Sequence, residues 1–117
     1  MFDLDNITEE AATCNDLEEV VMGLIINSGQ ARSLAYTALK KAKEGDLAAA
    51  HQLMAQSREA LNAAHLVQTQ LIEDDQGEGK IPVTLVLVHA QDHLMTSMLA
   101  RELISELIEL HEKLQSK

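Results

Sequence analysis

His89, Asp92 and His93 stand within one helical turn of one another in the stretch "LVLVHAQDHLMTSMLA", residues 85–100. A neutral imidazole offers a nucleophilic or metal-binding nitrogen near physiological pH. A carboxylate can hold a hard cation or share a proton. "HAQDH" has the spacing of an inverted zincin motif with Asp in place of Glu, which would make His89 and His93 zinc ligands and Asp92 a base. That reading lacks its third ligand, because only a helix tail follows. A di-iron bundle needs two Glu-x-x-His motifs, and the chain has none. There is no Gly-rich phosphate loop, no cysteine pair and no Ser–His–Asp set with supporting context.

The spacing of Leu85, Val88, Asp92, Met95 and Leu99, in steps of three and four, places Asp92 at a heptad core position. A carboxylate buried alone is costly; it shifts its pKa, pairs, or binds metal. No Lys or Arg lies within four residues of it. Two readings stay open from spacing: a pair with Arg32 or Arg58 from another helix, or copies of Asp92 meeting on a symmetry axis around a divalent cation or shared protons. His89 sits one residue past that seam, as a nucleophile or as a boundary histidine bonded to a neighbouring helix. His93 either bonds across one turn or faces out. His65, near a buried stripe, has a core or boundary role or supports the site. His51 and His111 read as surface residues.

Three long helices must position these groups. The first is expected to start near Asp16 and run to Lys43, with Leu17, Val21, Leu24, Ser28, Ala31, Ala35, Ala38 and Ala42 on one stripe. Gly23 and Gly29 interrupt it at a cost of roughly 1 kcal/mol each relative to Ala, which points to close packing. "KEGD" ends this helix and starts the next: Gly45 suits a left-handed cap and Asp46 an N-cap. The second helix carries Ala50, Met54, Ser57, Leu61, Ala64, Gln68 and Leu71 on its inner face. "EDDQGEGK" is a polar loop, and Pro82 suits the first turn of a third helix running to about Leu114. That helix is apolar around most of its circumference, so a second copy of the chain is expected to cover the face that one bundle leaves bare. Residues 1–15, which include the lone Cys14, read as a mobile arm with a bland surface thiol; residues 16–117 read as the helical domain.

Composition agrees with an all-α chain. Of 117 residues, one is Phe, one Tyr and none Trp, so the core must be Ala, Leu, Val, Ile and Met. The net charge of −10 disfavours nucleic acid and anionic membranes and suits a basic protein partner. One cysteine excludes an internal disulfide. No segment is long and apolar enough to span a bilayer, and no signal-peptide pattern opens the chain, so a cytoplasmic location is expected.

"GQARSLAYTALKKAKEGDLAAA", "AHLVQTQLI", a Gly-containing loop and "VHAQDHLMT", in this order, resemble the lactose/cellobiose class of IIA proteins of the bacterial phosphoenolpyruvate-dependent sugar phosphotransferase system. The resemblance covers about residues 17 to 114. It implies a cytoplasmic homotrimer of antiparallel three-helix bundles, nine helices in all. It implies that His89 accepts a phosphoryl group from the histidine-phosphorylated carrier HPr. His89 would pass it to a cysteine of a separate IIB protein, for uptake of a disaccharide of the N,N′-diacetylchitobiose or cellobiose/lactose type through a membrane IIC component. It implies that Asp92 holds a divalent metal, commonly Mg2+, on the trimer axis, one per trimer. Gln91 and His93 are expected to bond the phosphoryl oxygens or set the imidazole tautomer. A non-catalytic helical adaptor is the alternative.

Overall fold

The computed structural model describes residues 14–116. Three helices follow one another: α1 (Cys14–Lys43), α2 (Leu47–Asp75) and α3 (Leu85–Gln115). They form an antiparallel bundle measuring 60 × 24 × 19 Å. Short connections force this arrangement, because a few loop residues can only turn one helix back along its predecessor. The all-α architecture and the three-helix order are as the sequence implies. Most of the expected arm lies outside the described residues, but α1 already includes Cys14 and Asn15 and so begins earlier than Asp16.

The α1–α2 turn closes by a Schellman motif. The Gly45 amide donates to the Ala42 carbonyl (3.0 Å) and the Asp46 amide to that of Lys41 (2.9 Å). Gly45 adopts φ +90°, a conformation that L side chains resist. Asp46 then accepts from the Ala49 amide at 3.1 Å and caps α2. At the same end of the bundle, the Gln115 side chain donates to the Ala42 carbonyl (2.8 Å), so α3 helps satisfy the end of α1.

The second loop differs from expectation at Pro82, which lies before α3 and outside it. Thr84 is the N-cap, its hydroxyl accepting from the Leu87 amide at 3.2 Å. A hydroxyl at that position satisfies a helix-end amide, which Pro82 has no side-chain group to do. The Asp75 carboxylate braces the loop by accepting from the amides of Gly79 (3.3 Å) and Ile81 (2.9 Å).

The predicted inner stripe of α1 is buried at every position, and that of α2 at all but the half-buried Leu61. Helix α1 packs along both neighbours, while α2 and α3 touch each other far less. Two apolar clusters result. One holds Leu17, Val21, Leu24, Leu71, Leu87 and Leu94. The other is Ala35, Ala38, Ala42 and Ala50 with Met54, Ile104 and Ile108, where small side chains let backbones approach. Between them each helix contributes one fully buried serine: Ser28, Ser57 and Ser97. Ser57 donates to the Ala31 carbonyl at 2.7 Å, pinning α2 to α1. Gly45→Ala is expected to destabilise the fold by about 1–2 kcal/mol through the left-handed backbone it must adopt. The check is a lower urea midpoint with an unchanged m-value at fixed chain concentration.

Candidate functional site

Helix α3 has two apolar faces. Leu87, Ala90, Leu94, Ser97, Ile104 and Ile108 point into the bundle. On the opposite side Leu85, Val88, Met95, Leu99, Leu103 and Leu110 are exposed, Leu85 at 87% and Leu99 at 56% of their full surface. The second set contains the heptad seam read from the sequence, Leu85, Val88, Met95 and Leu99, with Asp92 exposed in its middle, and extends it to Leu103 and Leu110. His89 and His93 occupy the flank between the two faces, His89 exposed and His93 half-buried.

The two imidazoles form a parallel pair, with ring centroids 6.0 Å apart and planes 5° from parallel. His93 is wedged against α1. A Cβ built on Gly29 would come within 3.2 Å of its Nε2, so the absent side chain at Gly29 makes the space for the ring. The close packing expected at the two mid-helix glycines is therefore real for Gly29 and toward His93. Gly23 has nothing within 4 Å of the corresponding position. Burial against α1 lowers the pKa of His93, the nearby Arg32 and His89 lower it further, and the Asp92 carboxylate opposes them. His93 is thus held toward its neutral form beside the more exposed His89.

Gln91 stands elsewhere. Residues two apart on a helix point to nearly opposite sides, and the Gln91 side chain turns toward α2, where its Oε1 accepts from Gln68 Nε2. Gln68 is buried in the α2 stripe, and Gln91 is the partner that makes that burial tolerable. Gln91 also lines an apolar groove with Leu71, Ile81, Val83 and Leu87. Within one chain it is not beside His89.

Among the described residues Asp92 makes no salt bridge to Arg32 or Arg58, and Thr96 bonds to the backbone carbonyls of Asp92 and His93. Among them, too, no group of three His, Cys, Asp or Glu is placed to hold a metal. One chain offers a single carboxylate at this point, so any cation there would need carboxylates from further copies. Carboxylates from several copies would offer the hard oxygen ligands that a divalent cation takes. His65 is exposed on α2 and is not the core or boundary residue expected. His51 pairs with Glu112 at 2.5 Å, near the opposite end of α3 from His89. Sequence reasoning named Gly29 for close packing, Arg32 as a candidate partner of Asp92 and Gln68 on the buried α2 stripe, but it did not place Gly29 and Arg32 at His93 or pair Gln68 with Gln91. A glutamine on a buried stripe was the available signal for the last.

Residues 19–112 match the family described as the lactose/cellobiose-specific IIA subunit of the phosphotransferase system. The chain is 75% identical to the N,N′-diacetylchitobiose-specific EIIA component of Escherichia coli strain K12, over 99% of this chain and all of that protein. It is 39% identical to the lichenan-specific phosphotransferase enzyme IIA component of Bacillus subtilis, over 85% of this chain and 90% of that one. The fold superposes on the chitobiose IIA protein in the solution structure of its complex with HPr from Escherichia coli. There the TM-score is 0.75 at 81% identity, covering 85% of this chain and 96% of that one. The cellobiose-specific enzyme IIA of Bacillus anthracis superposes with a TM-score of 0.80 at 44% identity, covering 86% and 92% of the two chains.

Because the folded chain holds His93 below its ordinary value of 6.5, the unfolded chain takes up that proton first as pH falls. The contribution to stability is full above about 6.5, declines as pH drops toward the lowered folded value, and is flat below it. His93→Gln removes it. Denaturation of both chains between about pH 8 and 5 should show the wild type losing ground to the variant on acidification; a constant gap contradicts the assignment.

Proposed function

The chain belongs to the lactose/cellobiose-specific IIA family of the phosphotransferase system, and on that premise we propose that His89 is the side chain that carries its phosphoryl group. As a IIA component the protein is a phosphoryl carrier within a sugar phosphotransferase system. The observation that carries the residue assignment is the position of His89. It is an exposed imidazole on a rigid helix, beside a parallel imidazole biased to neutrality and at the edge of an apolar face.

The chemistry follows from that position. The lone pair of an unprotonated His89 ring nitrogen attacks phosphorus in line with the donor bond. The donor's P–N bond breaks, and its electron pair leaves on the donor imidazole. Because the transition state is loose, catalysis needs placement and charge stabilisation more than covalent help. An exposed ring accepts such an approach, and the helix backbone holds it in place between transfers. In the second transfer the N–P bond of His89 breaks and a cysteine thiolate of the IIB partner forms the new S–P bond.

The donor we propose is phosphorylated HPr. The Escherichia coli relative was solved with HPr, and the net charge of −10 favours encounter with a basic partner. The sugar we propose is N,N′-diacetylchitobiose or a related disaccharide, on the strength of the 75% identity to a protein specific for it. No described helix is long and apolar enough to cross a membrane, and a cytoplasmic location is part of the same proposal. So is a homotrimer, in which the exposed apolar face of α3 is covered by its copies. Asp92 would then meet its equivalents on the axis, where a divalent ion such as Mg2+, one per trimer, would neutralise the three carboxylates.

After incubation with phosphorylated HPr, the intact wild-type chain should gain one acid-labile phosphoryl group and the His89→Ala chain none. A labelled alanine variant refutes the site, and an unlabelled wild type favours a passive adaptor. Metal analysis of the purified protein should find one divalent ion per three chains, lost in Asp92→Leu. That variant should keep or tighten its assembly in light scattering, since it removes like charges from an apolar seam. One metal per chain, or collapse of the variant to monomers, speaks against the axial placement.

A further inference from the structure

A phosphoryl group brings roughly two negative charges to the ring that carries it. At His89 those charges would stand one turn from the Asp92 carboxylate, in a chain of net charge −10. Helix α3 supplies no Lys or Arg near them: the nearest on that helix is Arg101, whose guanidinium is engaged with the Met54 carbonyl at 3.0 Å. Most other cations are also engaged or remote. Lys41, Lys80 and Lys113 pair with Glu44, Glu78 and Glu109, and Lys40 and Lys43 lie in the last turn of α1.

Arg32 is differently placed. It is exposed on α1, one turn beyond Gly29. Residues three apart share a helix face, so Arg32 lies on the flank that contacts α3 at His93. Helical side chains lean toward the N-terminus of their helix. From Arg32 that direction leads back toward Gly29 and the imidazole pair. Its field is felt at His93, where it ranks next after burial among the influences that disfavour the imidazolium. Among the described residues it forms no ion pair. A guanidinium with no carboxylate partner, next to a paired imidazole on an otherwise acidic chain, is disposed to meet an arriving phosphoryl anion. Its planar fork of donors matches phosphate oxygens.

We propose that Arg32 is the phosphoryl-stabilising cation of this site, reaching from α1 across the slot opened at Gly29 to the phosphoryl oxygens on His89. The inference rests on the reading of His89 as the carrier residue. Arg32 makes and breaks no bond; it offers N–H donors to oxygens that gain charge as the group transfers, and it offsets the field of Asp92. His93, packed against Gly29, puts an imidazole and not a second carboxylate between α1 and His89.

The test uses phosphoramidate, a small donor that needs no protein docking, so that any role of Arg32 in partner binding does not enter. The full-length wild type, Arg32→Gln, Arg32→Lys and His89→Ala are compared for the rate of labelling and for the half-life of the phosphohistidine formed. Circular dichroism and light scattering confirm that the assemblies are alike. Loss of Arg32 is expected to slow labelling roughly 10- to 100-fold, the lower range for one electrostatic donor because the site is exposed. The half-life should shorten as well, and Arg32→Lys should recover part of both effects. Recovery by Lys separates charge from packing, which a merely structural role would not do. Equal rates and half-lives in wild type and Arg32→Gln overturn the inference while leaving His89 as the carrier. Labelling that persists in His89→Ala overturns the carrier assignment itself. Should Arg32→Gln assemble poorly, the comparison of Lys with wild type at low and high salt decides. A salt-sensitive labelling rate in the two cationic chains supports the inference, and a salt-independent one refutes it.

Discussion

Everything about this site follows from the fact that α3 has two apolar faces and a single chain can cover one of them. Helix α1 accomplishes that covering. Its inner stripe is leucine and valine in the first half and almost pure alanine in the second, which lets its backbone lie close to both partners over nearly its whole length. The cost is an exposed row from Leu85 to Leu110 on the far side of α3. Apolar surface of that extent is a drive toward association, and it puts a boundary on α3 where one face meets the other. His89 lies on that boundary, close to the apolar face yet open to solvent.

The polar groups inside the bundle are arranged so that the helices keep one register. Ser57 bonds to the backbone of α1, Gln68 to Gln91, and Arg101 to the backbone of α2. Each of these contacts costs most if it slides, because a shift would leave a buried donor or acceptor unmatched. Apolar contacts between alanines are much less particular about axial position. The specificity of register therefore comes from a few polar contacts, and with it the alignment of Gly29 on His93.

Electrostatics explains why an acidic protein can host anion chemistry at all. Burial and Arg32 lower the pKa of His93, while Asp92 draws it the other way. The exposed His89 ring lies parallel to a His93 ring that is held toward its neutral form. At His93 the positive charge of Arg32 comes from α1 and the negative charge of Asp92 from the seam of α3. A phosphoryl group carried on His89, as proposed, would lie between these two fields.

The residues alone determined the helices. Spacing in threes and fours names the buried positions of α1 and α2 almost without error, since a helix has only one way to place residues at that interval on one face. "KEGD" marks the first turn because only glycine takes its backbone angle cheaply. The motif "VHAQDHLMT" singled out His89 and Asp92, although only its resemblance to a family, and not its spacing, chose a phosphoryl carrier over a boundary histidine. Tertiary structure decided what faces what. It turned Gln91 away from His89 toward Gln68, set His93 against Gly29, brought Arg32 to the imidazole pair, left His65 outside the core, and moved the start of α3 beyond Pro82 to the better cap at Thr84. None of these is visible along one chain. Periodicity reports the face of a helix, whereas a neighbour on another helix depends on the axial alignment of two helices, which only the packed bundle establishes.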